Sequence, residues 1–199
     1  MGKIIGISGG VAAGKSTVAR LLGERGAAVV DADAIGHEVL KRPEIRERVV
    51  AQWGKDVLNE AGEVDRQKLG AVVFSSEEER TRLESIVHPA ILDRIRSRIA
   101  AESAAREALV LDAALLNESG LVDLCDGVVF VEADRSTRAA RAASRGWSAA
   151  ECARREEHQM SVEAKRARAD WIVDNSGSEA DLRDQLDSLW RNITENERS

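Results

Sequence analysis

One eight-residue stretch near the N-terminus constrains this chain more than any other feature. Residues 9–16 read GGVAAGKS, which fits the pattern G-x-x-x-x-G-K-S/T at every fixed position. The stretch lies between an apolar, β-prone run at 4–8 and a helical pattern at 15–24. Small residues let backbone N–H groups surround an anion, and the helix N-terminus adds positive potential. The sequence therefore predicts a strand, a phosphate-binding loop and a helix, in that order.

The residues of this loop have distinct predicted roles toward a nucleoside triphosphate. Lys15 can reach the β- and γ-phosphates, and the hydroxyl of Ser16 can bind Mg²⁺. A chance glycine-rich turn is the alternative, and the flanking strand and helix patterns argue against it. We predict ATP and Mg²⁺ as ligands, with ATP bound by Gly10, Val11, Ala12, Ala13, Gly14, Lys15, Ser16 and Thr17.

The rest of the chain alternates between short apolar runs and helical patterns. Further strands are predicted at 27–30, 108–112, 127–131 and 171–173, and further helices at 135–145, 149–160 and 179–193. This alternation predicts an α/β fold with a five-stranded parallel sheet, helices on both faces, and functional loops at the carboxyl ends of the strands. The nucleotide-binding core would comprise residues 1–33, 106–134 and 169–199.

Residues 34–105 differ from this core because their pattern is almost entirely helical. Breaks are predicted near Pro43, over 54–64 and at His88-Pro89, and no convincing strand is present. We therefore predict a helical insertion in the α/β core.

Composition and charge exclude several other classes of protein. The 199 residues fit one globular unit, and an apolar share of 43% is enough for a packed interior. A net charge of −6 argues against a nucleic-acid binder. Cys125 and Cys152 form no CxxC pattern, and no apolar run reaches the ~20 residues of a membrane helix. We expect a cytoplasmic protein without nucleic-acid or membrane partners, acting as a monomer or weak homo-oligomer.

Two aspartates follow predicted strands at the functional edge of the sheet. Asp33 could accept a proton from an incoming hydroxyl group and is our candidate base. The alternative is that Asp33 only caps a helix beginning at Ala34. Asp112 ends the strand at 108–112, where a carboxylate can hold Mg²⁺, although a simple strand-end aspartate remains an equal alternative.

Three arginines, Arg138, Arg141 and Arg145, share one face of the predicted helix at 135–145. Arginine suits a lid over ATP because its fixed donors match phosphate oxygens and it stays charged during transfer. A solvated charged face is the alternative, and it applies most to Arg135 and Arg138. We predict phosphate contacts for Arg141 and Arg145, with Arg141 catalytic beside Lys15 and Asp33.

The histidines add less information. His37 lies four residues after Asp33 on the same helix face, and His88 precedes Pro89 at a predicted helix start, where an imidazole could contact substrate. His158 is interpreted as a structural side chain.

Taken together, the motifs resemble those of the dephospho-CoA kinase family over nearly the whole chain. The resemblance comprises GG leading into GKST at 9–17, DAD with His37 at 31–37, WGKDVL at 53–58, VDR at 64–66, Leu69, LE-x-I-x-HP at 83–89, LL-x-E-x-GL at 115–121, Arg141 with Arg145, Gln159, and AD followed by N-x-G at 169–177. The order and spacing of these motifs are highly specific.

The resemblance implies a reaction and assigns roles. The enzyme would transfer the γ-phosphoryl group of ATP to the ribose 3′-hydroxyl of dephospho-CoA, with Asp33 as the base. Residues 34–105 would bind dephospho-CoA, residues 135–168 would form a mobile lid, and Asn175 would lie near the adenine. The substrate-binding residues would be Ser8, Asp33, His37, His88, Leu115 and Arg141.

The chain departs from the family pattern in a few places. Ala114 and Asn117 stand where the family usually has Pro and Phe, Arg138 stands where Gln is frequent, and Ser8 replaces a common Thr. Ser8 keeps the hydroxyl group, whereas Asn117 replaces an apolar contact near the acceptor with a polar one.

Three other functions remain open from the residues alone. A regulatory GTPase is suggested by D-x-x-G at 33–36 and 174–177, although the chain has no N-K-x-D motif for reading guanine. A kinase of another hydroxyl acceptor, such as a nucleoside or nucleotide, is the second. A catalytically inactive nucleotide sensor is the third.

Overall fold

The computed structural model describes residues 2–73, 76–157 and 159–195, and its core is a five-stranded parallel sheet. The strands are β1 (Lys3–Gly9), β2 (Ala28–Asp31), β3 (Ala108–Asp112), β4 (Gly127–Glu132) and β5 (Trp171–Asp174). Their order across the sheet is β2-β3-β1-β4-β5, and each neighbouring pair is parallel. Because β1 is the middle strand, the loop that follows it leaves from the centre of the sheet's carboxyl edge.

The helices alternate with these strands and also form a separate helical unit. They are α1 (Lys15–Glu24), α2 (Ala32–Leu40), α3 (Pro43–Trp53), α4 (Arg66–Val73), α5 (Glu77–Glu102), α6 (Arg135–Ser144), α7 (Ala149–Glu157), α8 (Val162–Ala167) and α9 (Glu179–Glu195). Within the described chain, residues 2–31 with 99–195 form one compact unit and residues 32–98 form the other. The predicted α/β class with a five-stranded parallel sheet is confirmed.

The core of the first unit lies between the sheet and two helices. Ile5 and Ile7 of β1 are fully buried in one apolar cluster with residues of α1 and α9. The helix residues in this cluster are Val18, Ala19, Leu21, Leu22, Leu182, Leu186, Leu189 and Ile193. Fully burying each large aliphatic side chain stabilises the fold by about 1.5–3 kcal/mol. This packing fixes α1, and with it the loop between β1 and α1.

Side chains alternate along β1, so Gly6 faces the side of the sheet opposite Ile5 and Ile7. A Cβ atom at Gly6 would lie 2.8 Å from both Leu116 Cδ2 and Cys125 Sγ. The absence of a side chain therefore lets the segment after β3 pack directly against the central strand.

The helical unit has its own buried residues, which recur at helical spacing. They include Ile35 and Val39 of α2, Ile45 and Val49 of α3, and Leu69 of α4. The predicted break near Pro43 is confirmed, since α2 ends at Leu40 and α3 begins at Pro43. The predicted break over 54–64 is also confirmed: a single 3-10 turn, Lys55–Val57, is followed by an isolated bridge between Leu58 and Val64.

The predicted helix break at His88-Pro89 is wrong, because α5 runs through both residues. A proline inside a helix removes one backbone hydrogen bond and costs about 3 kcal/mol. The helix continues because α5 buries Ile86 before the proline and Ile95 after it. His88 is therefore a mid-helix residue, and its predicted position at a helix start is corrected.

The segment predicted as one helix at 149–160 is also different. α7 ends at Glu157, and a further short helix, α8, begins after Ser161. The Ser161 hydroxyl accepts a hydrogen bond from the N–H of Ala164 at 3.1 Å, which is an N-cap. The serine before a helical pattern was the signal that could have predicted α8.

Within 2–73, 76–157 and 159–195, no helix has the length and apolarity needed to cross a bilayer.

Candidate active site

The phosphate loop, residues 9–16, joins β1 to α1 through an irregular backbone. Its φ angles are positive at Gly9 (153°), Ala12 (60°) and Gly14 (96°). Left-handed residues among right-handed ones turn backbone N–H groups toward a common side and create an anion-binding concavity. Because this concavity meets the N-terminus of α1, it is suited to phosphate.

Lys15, the first residue of α1, lies half-buried over this loop. Its Nζ donates hydrogen bonds to the carbonyl oxygens of Gly9 and Gly10, each at 3.2 Å. Ser16 follows in the first helical turn and is exposed, and Thr17 is half-buried. Lys15 and Ser16 thus lie at the end of the phosphate loop, and their contacts with phosphate and Mg²⁺ stay predictions.

Two polar side chains from other elements hold the far end of the loop. Arg141 of α6 donates to the carbonyl oxygen of Ala13 at 3.1 Å and to the backbone carbonyl of Asn175 at 2.8 Å. Asn175 follows β5, is 5% exposed, and donates from Nδ2 to the same Ala13 carbonyl at 2.8 Å. Of the predicted site residues, Arg141 and Asn175 are therefore brought together at the phosphate loop.

Gly14 makes this close approach feasible. A Cβ atom on Gly14 would lie 2.2 Å from Nδ2 of Asn175, well inside any real contact distance. The residue also has φ 96°, which L side chains rarely adopt. The glycine is required here both by its backbone conformation and by the neighbouring amide.

The three predicted arginines of the lid have different surroundings. Arg138 forms an ion pair with Glu156 of α7 at 2.8 Å, and its NH1 would be 2.8 Å from a Cβ placed on Gly10. Arg145 is the exposed C-cap residue of α6, and its guanidinium lies 5.4 Å from the centre of the Trp147 ring. Arg138 thus lies beside the loop with Arg141, whereas Arg145 stacks on an aromatic ring. The role of Arg145 in binding ATP stays a prediction.

Asp134 sets the position of α6. Its carboxylate caps the helix by accepting from the N–H of Thr137 at 2.7 Å. Hydrogen bonds from the Ser136 hydroxyl and from the Thr137 backbone and hydroxyl hold the pKa of Asp134 well below its usual range. The cap is therefore charged at neutral pH and fixes the first turn of the helix that carries Arg138 and Arg141.

Two carboxylates lie at the ends of neighbouring strands. Asp112 ends β3 and is in register with Asp31, which ends β2, and with Ile7 of β1. Asp112 is half-buried and Asp31 is exposed. Sequence reasoning selected Asp112 and passed over Asp31, although the two parallel strand ends were a usable signal.

Asp33 belongs to the helical unit and lies in the first turn of α2, where it is exposed. α2 begins at Ala32, so the alternative in which Asp33 caps a helix starting at Ala34 is wrong. A carboxylate in a first helical turn interacts favourably with the helix dipole. The role of Asp33 as a base stays a prediction.

The predicted acceptor residues fall into both units. Ser8 at the end of β1 is 3% exposed, and its hydroxyl oxygen accepts a hydrogen bond from Nδ2 of Asn117 at 3.0 Å. Leu115 on the same segment as Asn117 is 41% exposed. In the helical unit, His37 on α2 is exposed and His88 on α5 is half-buried. His158 lies outside the described residues.

A polar cluster near the loop was missed by sequence reasoning. Lys165 of α8 is 2% exposed and lies 3.1 Å from a carboxylate oxygen of Glu118. Its Nζ also donates to Oε1 of Gln159 at 2.8 Å. Glu118 and Gln159 belong to the family motifs quoted above, but a motif does not reveal which residues distant in sequence form pairs.

Gln159 and Lys165 of this cluster line a cleft of about 330 Å³ beside the loop. Its walls are formed by Gly10, Val11, Arg138, Glu156, Gln159, Met160, Ser161, Val162, Glu163 and Lys165. A phosphate loop after the central strand, a lysine and hydroxyl at the helix start, and arginines from a following helix define a P-loop phosphotransferase.

Comparison with known proteins identifies which phosphotransferase family this is. The profile of the dephospho-CoA kinase family matches residues 3–181. A dephospho-CoA kinase of Corynebacterium diphtheriae is 44% identical over 195 residues, which cover 96% of this chain and 95% of the relative. A dephospho-CoA kinase of Symbiobacterium thermophilum is 43% identical over 192 residues, covering 95% and 80%. A crystal structure of a Thermus thermophilus protein, TT1252, superimposes with a TM-score of 0.85 at 34% identity, covering 97% of this chain and 98% of that one. The chain belongs to the dephospho-CoA kinase family.

Proposed function

We propose that this protein transfers the γ-phosphoryl group of ATP to the ribose 3′-hydroxyl of dephospho-CoA, yielding CoA and ADP, the last step of CoA biosynthesis. The observation that carries the proposal is the phosphate loop itself, with Lys15 hydrogen-bonded to Gly9 and Gly10 and Arg141 tied to Ala13. Family membership supplies the identity of the acceptor.

The ATP phosphates bind to the backbone amides and side chains of residues 10–17. Lys15 contacts the β- and γ-phosphates, and Arg141 stabilises the charge that moves from the attacking oxygen to the leaving one. This assignment is supported by the position of Arg141, whose NH1 is within 3.1 Å of the loop carbonyl of Ala13. Fixed donors of this kind stabilise a transition state without reorganising during the reaction. Arg145 and Asn175 complete the predicted nucleotide contacts.

Mg²⁺ fits the donor groups present. Mg²⁺ is usually held by one or two carboxylates together with substrate phosphates and water. The hydroxyl of Ser16 and the carboxylate of Asp112 are the proposed ligands. Over the described part of the chain, no group of three or more His, Cys, Asp or Glu side chains could hold a metal ion. When bound, the ion would neutralise developing charge on the phosphate oxygens.

Asp33 is the proposed base that accepts the proton from the 3′-hydroxyl as its oxygen attacks phosphorus. Its support is its place in the first turn of α2, two residues beyond the end of β2. Dephospho-CoA is bound by the helical insertion predicted at 34–105, with Ser8, His37, His88, Leu115 and Arg141 among its contacts. Residues 135–168 act as the lid that excludes water, since a kinase must keep water from the γ-phosphoryl group.

A coupled assay of ADP release tests the acceptor. Mg-ATP is offered with dephospho-CoA, adenosine, uridine or CMP in parallel reactions, and turnover is expected only with dephospho-CoA. Turnover with a nucleoside or CMP instead would support the second candidate, a kinase of another hydroxyl acceptor. No turnover with any acceptor, while ATP still binds, would support a nucleotide sensor.

Thermal unfolding with ADP or GDP tests the nucleotide. A ligand that binds only the folded state raises the melting temperature by mass action. We expect ADP to raise it and GDP to have little effect. Stabilisation by GDP alone would overturn the assignment of ATP and favour a regulatory GTPase.

A further inference from the structure

The polar cluster around Glu118 links two segments that lie far apart in the sequence. One carboxylate oxygen of Glu118, Oε1, is 3.1 Å from Nζ of Lys165 and accepts a hydrogen bond from the backbone N–H of Met160 at 2.6 Å. Lys165 also donates to Oε1 of Gln159 at 2.8 Å. Glu118 follows β3, whereas the other three residues belong to the segment 159–165 at the start of α8. The segment after β3 therefore holds the segment 159–165 at two polar groups, the ammonium of Lys165 and the backbone N–H of Met160.

Burial makes the loss of either charged partner alone costly. The side chain of Lys165 is only 2% exposed and that of Glu118 is 19% exposed. Removing one member of a buried ion pair leaves an uncompensated charge, which is strongly unfavourable. The two segments can therefore separate only if both charged groups regain water.

The linked segment forms one wall of the cleft beside the phosphate loop. Residues 159–163 and Lys165 line this cleft together with Gly10 and Val11 of the loop. On the other side of the link, Asn117, the residue before Glu118, donates to the hydroxyl of Ser8 at 3.0 Å. Adjacent residues thus contact both the strand that leads into the loop and the segment that faces it.

We infer that Glu118 and Lys165 are a positioning pair, which holds the segment 159–165 against the phosphate loop during phosphoryl transfer and so limits attack by water. This inference rests on the proposed function. Neither residue is assigned a contact with substrate, because Lys165 is almost fully buried and its ammonium already serves two oxygens. The pair acts indirectly, by fixing the segment 159–165 that forms one wall of the cleft.

Loss of the pair is expected to change how the γ-phosphoryl group is partitioned between acceptor and water. In Lys165→Met, the wall loses its link, so phosphoryl transfer slows and a larger share of ATP is hydrolysed. Small displacements from the reactive geometry lower rates by up to about 100-fold, and we expect a fall of about 10- to 100-fold in transfer. CoA formation and phosphate release are measured in the same reaction, and their ratio is the readout.

Arg183→Met is the control. Arg183 of α9 lies outside the proposed lid and pairs with Glu24 at 2.9 Å, and both side chains are exposed, at 41% and 43%. An exposed pair contributes little to stability. The control removes a positive charge from an exposed pair, and we expect its ratio of hydrolysis to transfer to match the unmodified protein.

Glu118→Gln could unfold the protein because it leaves the Lys165 ammonium without a counter-charge, so the double variant Glu118→Gln/Lys165→Met is also required. The double variant contains neither charge, and we expect its melting temperature to exceed that of Glu118→Gln. Its hydrolysis-to-transfer ratio should remain raised. A double variant no more stable than Glu118→Gln would show that the two groups do not act as a pair.

A merely structural role would lower transfer and hydrolysis together, in proportion to the folded fraction, and that result would overturn the inference. A folded double variant with the ratio of the unmodified protein would also overturn it. Failure of the proposed function is a separate outcome, because it would appear in the unmodified protein as absence of transfer to dephospho-CoA. ATP hydrolysis by the variants would then still show whether the segment 159–165 limits attack by water.

Discussion

The phosphate loop and the helical unit, residues 32–98, differ in what determines their function. In the loop, the binding groups are mainly backbone amides, whose directions follow from positive φ at Gly9, Ala12 and Gly14. In the helical unit, the candidate groups are side chains such as Asp33 and His37, which project from exposed helix positions. Backbone groups are fixed by a short motif, whereas a set of side chains is fixed only by tertiary structure. The comparison explains why the nucleotide can be read from the sequence more directly than the acceptor.

Asp33→Asn is expected to have the largest effect. It tests whether the helical unit contributes to the chemical step rather than to nucleotide affinity. We expect kcat to fall by about 10²–10⁴-fold, because a general base contributes that much to a rate. Stabilisation by ADP in thermal unfolding should be unchanged. Asp93→Asn, an exposed aspartate of α5, is the control and should retain turnover. Near-normal turnover of Asp33→Asn would remove Asp33 from the base role.

Lys15→Ala tests the phosphate loop, the other region compared above. Loss of one charged donor from a preorganised site lowers rates by about 10²–10³-fold. We expect such a loss in kcat/KM, together with a smaller rise in melting temperature on adding ADP. Lys41→Ala, at an exposed position in the helical unit, is the control. Unchanged ATP affinity and rate in Lys15→Ala would contradict the entire site.

Gly14→Ala separates the backbone conformation of the loop from its contact with Asn175. The added Cβ would lie 2.2 Å from Nδ2 of Asn175, so we expect lost ATP affinity and a lower melting temperature. Gly26→Ala is a matched control, since Gly26 has φ 108° but nothing within 4 Å of an added Cβ. The control should lower the melting temperature through backbone strain alone and leave ATP affinity intact. Equal effects of the two variants on affinity would exclude the contact as the cause.

Asp134→Asn tests the N-cap of α6, the first helix of the proposed lid. Asparagine keeps the cap but removes the charge. Because the folded pKa of Asp134 is depressed, the charge stabilises the protein above the ordinary pKa of 3.8, and this advantage is lost as the pH falls below it. The difference in melting temperature between the unmodified protein and Asp134→Asn should therefore be smaller at pH 3 than at pH 7. A constant gap would contradict this linkage.

The smallest effect is expected for the reactivity of the Cys125 thiol, which reports on packing against the face of β1 that carries Gly6. Burial, assisted by the charges of Asp126 and Asp123, raises the pKa of the Cys125 thiol to about 12. At pH 8 only about 10⁻⁴ of the thiol would be ionised, and the thiolate is the reactive form. In Cys152→Ser, a disulfide reagent should therefore modify Cys125 slowly in the native state and rapidly in guanidinium. Rapid native modification would show that this face of the sheet is open.

The sequence predicted the sheet well because each strand is a short apolar run and each crossover is long enough for a helix. The bounds of α1 and β3 were predicted correctly, and the other strands within about one residue. The interior proline misled the prediction for α5, since local preference at Pro89 is outweighed by burial on both sides. Local propensity is a weak guide wherever tertiary packing decides.

At the candidate site, the phosphate loop was readable because one local motif specifies it. Arg141 was singled out by its spacing, but its hydrogen bond to the Ala13 carbonyl could not be foreseen. The pairing of Glu118 with Lys165 was missed because it depends on how the segment after β3 meets α8. Contacts between residues distant in sequence require the fold and are not contained in a single pattern.

The central place of β1 in the sheet also bears on how the protein tolerates partial opening. Edge strands β2 and β5 have one neighbour each, whereas β1 has partners on both sides. Amide protons in such a position are expected to exchange with deuterated solvent only through the highest-energy openings. Thermal fluctuations that open the edge strands would thus leave intact β1, the strand that leads into the phosphate loop.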